Sequence, residues 1–268
     1  MKRTVVLGFA FLGLALLAGC QSPAPGPRLS AAGLRPEPLL AKLALGGSEV
    51  GGLRSRAQVE IEAPDLHLSR PQRLYVARPE QLRVEVLALF GQLAAVLVAH
   101  DGVYQLYEPS RGELQEGLIS ASLLWRVARV DLQPREVVEL LLGTPAPQAG
   151  LRFGDVRPAE AGGVGFDRLD ARGTVRERYV FDAQGHLKAM ERMDPEGAAV
   201  WQAQFDDYRM VPVEGGEPRA FAFELRLDFP RVRGQATLRF KQVSLSRDLP
   251  GELFELKLPQ GQGGKGAS

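Results

Sequence analysis

The chain has 268 residues, with 33 lysines and arginines against 32 aspartates and glutamates and a formal net charge of +1. That balance offers nucleic acid no basic excess. Hydrophobic residues make up 45%, enough to fill one large domain or two small ones, and a single cysteine excludes an internal disulfide framework.

Lys2-Arg3 precede an uncharged run from Thr4 to Gly19, which has the layout of a secretory signal peptide and is shorter than the about 20 residues of a spanning helix. The lone Cys20 follows, and Leu17-Ala18-Gly19-Cys20 resembles the bacterial lipobox. That resemblance implies removal of residues 1–19, a diacylglycerol thioether on Cys20 and acylation of its amine. Three chains would then enter the bilayer, each buried methylene contributing about 0.8 kcal/mol, where two chains already anchor stably. With Cys20 lipidated no thiol remains, so stability in an oxidising periplasm must come from packing. Gln21 stands where aspartate retains enteric lipoproteins in the inner membrane, so the expected place is the periplasmic face of the outer membrane. Residues 20–36, rich in proline and glycine, read as a flexible tether. A single domain is expected over 37–259 and a disordered tail over 260–268, whose glycines and Lys265 lack the spacing of a phosphate-binding loop.

Within the domain, Pro38 suits the first turn of a helix carrying Leu39, Leu40 and Leu43, and Gly46-Gly47 suit its end. RSRAQVEIEA alternates, with Ser55, Ala57, Val59 and Ile61 on one face, as a half-buried strand does. Ser120 suits the cap of a second helix with Leu123, Leu124 and Val127 on one side, and Pro134 opens a third that ends at Gly143. The turns ARGT, DAQG and DPEG then separate short strands. AFAFELRLDF places Phe221, Phe223, Leu225, Leu227 and Phe229 opposite Glu224, Arg226 and Asp228, and VRGQATLRF alternates Val232, Ala236, Leu238 and Phe240 with polar residues. After Phe240 the phase slips to Val243 and Leu245, which predicts a bulge near Lys241.

About eleven strands and three helices make a mainly β fold with a few α-helices. Three helices are too few to alternate with the strands, so a doubly wound parallel sheet is disfavoured in favour of one large curved antiparallel sheet, its helices on the concave face. The inward positions read as apolar, with no paired charge. Such a sheet leaves room for an apolar cavity, with Val84, Val86, Phe223, Leu225, Leu238 and Phe240 as candidate hydrophobic-ligand residues.

RPEQLRVEV, followed by AHDGVYQLYEP with Asp101-Gly102, Tyr104, Tyr107 and Pro109, resembles the LolA lipoprotein carriers. LALFGQLAAVLV and LLWRVARVDLQPREVVELLLGTPAP resemble the LolB lipoprotein receptors more closely, and lipid attachment also belongs to LolB. The ending SLSRDLPGELFELKLPQG is more similar to that of other lipoproteins sharing the LolA-like fold. The resemblance implies an unclosed, half antiparallel β-barrel with a helical lid over a cavity for acyl chains. It implies a membrane-engaging loop at Leu89 and Phe90, before Gly91, and lid contacts from Arg78 and Arg83.

Catalytic patterns are sparse. His67, His100 and His186 have no metal-ligand spacing, neither GxSxG nor HExxH occurs, and the adjacent Asp206 and Asp207 would point to opposite faces of a strand. No catalytic residue, metal site or cofactor is expected. Two readings remain: a lipid or lipoprotein handler, with a periplasmic carrier as possible partner, and an anchored protein-binding or assembly module with a filled core. Cys20→Ser is expected to abolish palmitate labelling and membrane fractionation, and persistence of the label in the variant refutes the anchor.

Overall fold

The computed structural model describes residues 29–257, apart from 121–123 and 126–128. The expected signal peptide, Cys20, most of the tether and the tail lie outside the described residues, as do Leu123 and Val127 of the second expected helix.

Helix α1 spans Glu37–Glu49, with Pro38 in its first turn and Leu39 and Leu40 buried. Strands β1 (Gly52–Ala63), β2 (Leu66–Ala77), β3 (Gln81–Leu87), β4 (Leu93–His100), β5 (Val103–Glu108) and β6 (Glu113–Leu118) follow. Helix α2 spans Pro134–Leu141. Then come β7 (Arg152–Pro158), β8 (Val164–Leu169), β9 (Val175–Phe181), β10 (Leu187–Met193), β11 (Ala199–Val211), β12 (Val213–Glu214), β13 (Arg219–Phe229) and β14 (Gly234–Ser246). Fourteen strands therefore replace the expected eleven among the described residues. Two of them carry no alternation to read: β12 has two residues, and β6 is exposed along nearly its whole length.

All fourteen strands belong to one open sheet, mainly antiparallel, ordered β6-β5-β4-β3-β2-β1-β14-β13-β11-β10-β9-β8-β7, with β12 pairing parallel to β14. The chain's first and last long strands meet in the middle. Each wing is a meander of hairpins, and its edges, β6 and β7, are consecutive in sequence but lie at opposite ends of the sheet. The segment 119–151 must therefore cross a face of the sheet, and α2 rides on it. Among the sheet residues, the main core cluster includes Val59, Leu74, Phe166 and Leu238, joined by Val138 and Leu140 from α2.

The expected bulge is present. Arg56 pairs with Gln242 and Ala57 with Phe240, which leaves Lys241 as the extra residue in β14. It resets the phase so that Leu245 is buried like Phe240. On the opposite face a ladder runs across the C-terminal wing. Asp167 is bonded by Arg157 at 2.8 Å and Arg178 at 3.0 Å, Arg178 and Gln202 both reach Glu191, and Gln235 bonds Asp228.

Three hairpins of that wing share one turn, repeated every twelve residues. Asp170, Asp182 and Asp194 each accept, through Oδ1, backbone N–H groups two and four residues ahead, at 2.9 to 3.0 Å. Gly173, Gly185 and Gly197 close them at φ of +86°, +81° and +87°, in the left-handed region that only glycine enters freely. A Cβ on Gly197 would meet only Thr174 at 3.7 Å, so Gly197→Ala isolates the backbone cost. It is expected to lower stability by about 1–2 kcal/mol in urea unfolding without a change of slope.

Candidate functional site

The crossing segment is tied at several places. Gln133 and Glu136 form a capping box at the start of α2, and at its end Thr144 N–H donates to the Glu139 carbonyl beside Gly143, φ +69°. Ahead of α2, Arg129 donates from Nε and Nη2 to Asp65 in the β1–β2 turn, at 2.6 to 3.2 Å. These bonds hold the Asp65 carboxyl below its ordinary pKa. Past α2, Arg78 donates to Thr144 Oγ1 and, at 3.4 Å, to the Val50 carbonyl. Burial pulls the Arg78 pKa down, with Glu139 opposing.

The firmest tie is a buried ion cluster on the inner face. Arg168, Glu177 and Arg192 pair across β8, β9 and β10. Glu177, with no exposed surface, accepts from Arg168 at 2.8 Å, Arg192 at 3.0 Å, the Tyr179 hydroxyl at 3.1 Å and the backbone N–H of Gln148 at 2.8 Å. Arg168 also donates to the carbonyls of Gln148 and Leu151, and Arg192 to Ala146 and, at 2.7 Å, to Glu136 of α2. Burial and the neighbouring carboxylate raise the Tyr179 pKa, so its hydroxyl stays a donor. The expectation of an inner face without paired charges is thus corrected. An apolar cluster could not have met the carbonyls of Ala146, Gln148 and Leu151.

Between this lid and the N-terminal wing lies a cavity of about 500 Å³, within the range of small-molecule pockets. Val59, Leu74, Leu97 and Leu106 form part of its floor, and Leu124, Val130, Val137, Leu140 and Leu141 cover it. Among the described residues its wall carries three polar side chains, Gln72, Glu108 and Gln115, and no cation. The lining residues Ile61, Val86, Ala95 and Ala236 sit next to the β1–β2, β3–β4 and β13–β14 turns, so one end of the cavity lies where those hairpins gather. A second hollow of about 430 Å³ occupies the other end of the core, under α1, against Phe181, Tyr208 and Phe221.

Of the candidate ligand residues, Val84, Val86 and Leu238 line the larger cavity. Phe223, Leu225 and Phe240 do not. Leu225 pairs with Leu238 in register, but it is 1% exposed in closed core, whereas Leu227, two residues nearer the β13–β14 turn, lines the cavity. Phe240 packs edge-on against Phe221 at 5.3 Å, and half-buried Phe223 lies under the Arg209 guanidinium at 4.4 Å. Arg83 faces away from the lid, bonding Glu85 and the carbonyls of Leu253 and Glu255, because it alternates with the cavity residues Leu82 and Val84. There the segment after β14 packs Leu249 and Phe254 on the outer face of the N-terminal wing.

Phe90 stands at the tip of the β3–β4 turn, 97% exposed with φ +65°, a conformation unusual for a bulky residue. Leu89 belongs to the same turn, and its side chain lies outside the described residues. The histidines have local partners: His67 lies 3.9 Å from Glu62, His100 3.3 Å from Asp101 and His186 3.0 Å from Asp182. Among the described residues no group of three metal-ligating side chains gathers.

No protein-family model matches the sequence, and no curated protein matches it. Solved structures do. A DUF1329 family protein from Desulfovibrio piger superposes with a TM-score of 0.53 at 13% identity, covering 81% of this chain and 95% of its own. A LolA superfamily protein from Nitrosomonas europaea gives 0.52 at 10% identity, over 83% and 98%. The chain has a LolA-like fold. A candidate outer membrane lipoprotein-sorting protein domain from Vibrio parahaemolyticus shares that fold, with a TM-score of 0.50 at 12% identity over 81% and 94%. In this chain the LolA-like sheet stays open, with the lid's buried ion cluster on the C-terminal wing and the cavity lying mainly under the other.

Removing one partner of a buried ion cluster strands the others. Glu177→Ala is expected to cost about 3–5 kcal/mol in urea unfolding, whereas Arg178→Ala, in the half-exposed outer ladder, is expected to cost about 1 kcal/mol or less.

Proposed function

We propose that this protein is an envelope lipoprotein, anchored through Cys20 to the periplasmic face of the outer membrane, that takes an acyl chain of a lipoprotein or lipid into the cavity beneath α2 and passes it to the membrane. The observation that carries this reading is the apolar hollow of about 500 Å³ under a lid held by polar ties. Val84, Val86 and Leu238 are the proposed acyl contacts, and a periplasmic carrier is the proposed donor. The LolA-like fold supports the assignment to lipid or lipoprotein binding rather than to catalysis.

The energetics suit a handover. Moving an acyl chain between an apolar cavity and a bilayer is nearly neutral, whereas exposing it to water costs about 0.8 kcal/mol per methylene. Delivery therefore requires that the cavity reach the membrane without an aqueous gap. Phe90 projects from a turn at the cavity's end, and it and Leu89 of the same turn are the proposed membrane-engaging residues. Keeping a phenylalanine in water forgoes about 1.5–3 kcal/mol of burial, which membrane insertion would recover.

Two measurements test this. Mass spectrometry of the chain beginning at Gln21, purified from cells, is expected to find coextracted acyl lipids. A chain free of them that also fails to bind a fluorescent fatty-acyl probe refutes the reading and favours a filled-core assembly module. Phe90→Ser is expected to leave probe binding intact and to reduce co-sedimentation with phospholipid vesicles roughly tenfold or more. Unchanged sedimentation removes Phe90 from the mechanism.

A further inference from the structure

Gln72 is out of place in the wall of the larger cavity. It lies on β2 between Ala57 of β1 and Val86 of β3, and neither neighbour offers its side chain a polar partner. It is 6% exposed and lines the cavity, yet its carboxamide makes no hydrogen bond among the described residues. An amide can donate two hydrogen bonds and accept two; here its N and O atoms open onto the cavity rather than into protein, and holding them unpaired in so apolar a wall is unfavourable. A leucine of similar size would avoid that penalty and continue the apolar floor of Leu74 and Leu97.

We propose that Gln72 recognises the carbonyl group of the bound acyl chain, its N–H donating to an ester or amide oxygen. The inference rests on the acyl-binding reading above and specifies its ligand. Position follows from register. Gln72 pairs with Val86, the last residue but one of β3 before the Phe90 turn, whereas Leu74 pairs with Val84 farther along the strands. A carbonyl at Gln72 therefore sets the hydrocarbon toward Leu74, Val84 and Leu97 and the head group toward the end where Phe90 projects. Charge favours one carbonyl class. Among the described residues the wall holds no lysine or arginine, and its ionisable side chain is Glu108. A neutral ester or amide suits that wall, and a free fatty-acid carboxylate does not.

The test compares two lysophospholipids that differ only in the carbonyl: palmitoyl-lysophosphatidylcholine, an ester, and its hexadecyl ether analogue. Each displaces a fluorescent fatty-acyl probe from the chain beginning at Gln21, below the concentration at which either forms micelles. The parent protein is expected to bind the ester about tenfold more tightly, and Gln72→Leu to abolish that preference by weakening ester binding alone. Gln72→Leu is also expected to raise the Tm of the ligand-free protein, whereas a residue with a structural role would lower it. Equal binding of ester and ether by the parent, or a preference that survives in Gln72→Leu, overturns the role of Gln72 and leaves the acyl cavity standing. Displacement by neither lipid overturns both.

Discussion

The pairing of β1 with β14 governs the rest of the molecule. Once the first and last long strands meet in the centre, each wing grows outward by hairpins and the two wings end at opposite edges of the sheet. The connection between those edges cannot be a tight turn. It must lie across a face, and that face must bury it. The lid is a consequence of strand order, and the cavity is a consequence of how the lid is fastened.

The fastening is polar, and its buried part lies on the C-terminal wing. The segment after α2 donates and accepts through its backbone at residues 146, 148 and 151, and the inner face of β8–β10 answers with Arg168, Glu177 and Arg192. A buried ion cluster requires desolvation of each charge and contributes little net stability compared with apolar packing, and here Nε of both arginines has no partner among the described residues. What it contributes is position. α2 is fixed by directional bonds to the C-terminal wing, by Arg78 to Thr144 at one end and, through the preceding segment, by Arg129 to Asp65 at the other. Held this way, the lid need not sink onto the N-terminal wing for its stability, and the space beneath it stays open.

Much of this was legible in the residues. Pro38 and Pro134 marked the starts of helices, alternation marked the long strands, and the slip after Phe240 located the bulge at Lys241. The side of the cavity was not legible. Leu225, Leu227 and Leu238 have the same alternation, yet Leu227 and Leu238 line the cavity and Leu225 is packed core, a difference set by where the lid crosses the sheet and not by the pattern along a strand. The ion cluster left a signal that charge alone disguised: Arg168, Glu177 and Arg192 occupy the apolar phase of three successive strands, alongside Phe166, Tyr179 and Met190. On strands whose other face is rich in arginine and glutamate, such residues read as solvated. Gln72 carried the same kind of signal, a polar residue in phase with Leu74 and Val76. For Phe90 exposure was expected only through the resemblance, and in the structure the ring stands in solvent at a turn with a left-handed backbone.

On the proposed function, the hollow beneath α2, and no other surface, receives an acyl chain. A palmitoyl probe carrying a photoreactive diazirine near its terminal methyl, cross-linked to the chain and mapped by peptide mass spectrometry, addresses it most directly. Labels are expected to be confined to β3, β14 and α2, around Val84, Leu238 and Leu141. Labels confined to the outer face near Phe254, or to the hollow under α1 near Phe221, would contradict it.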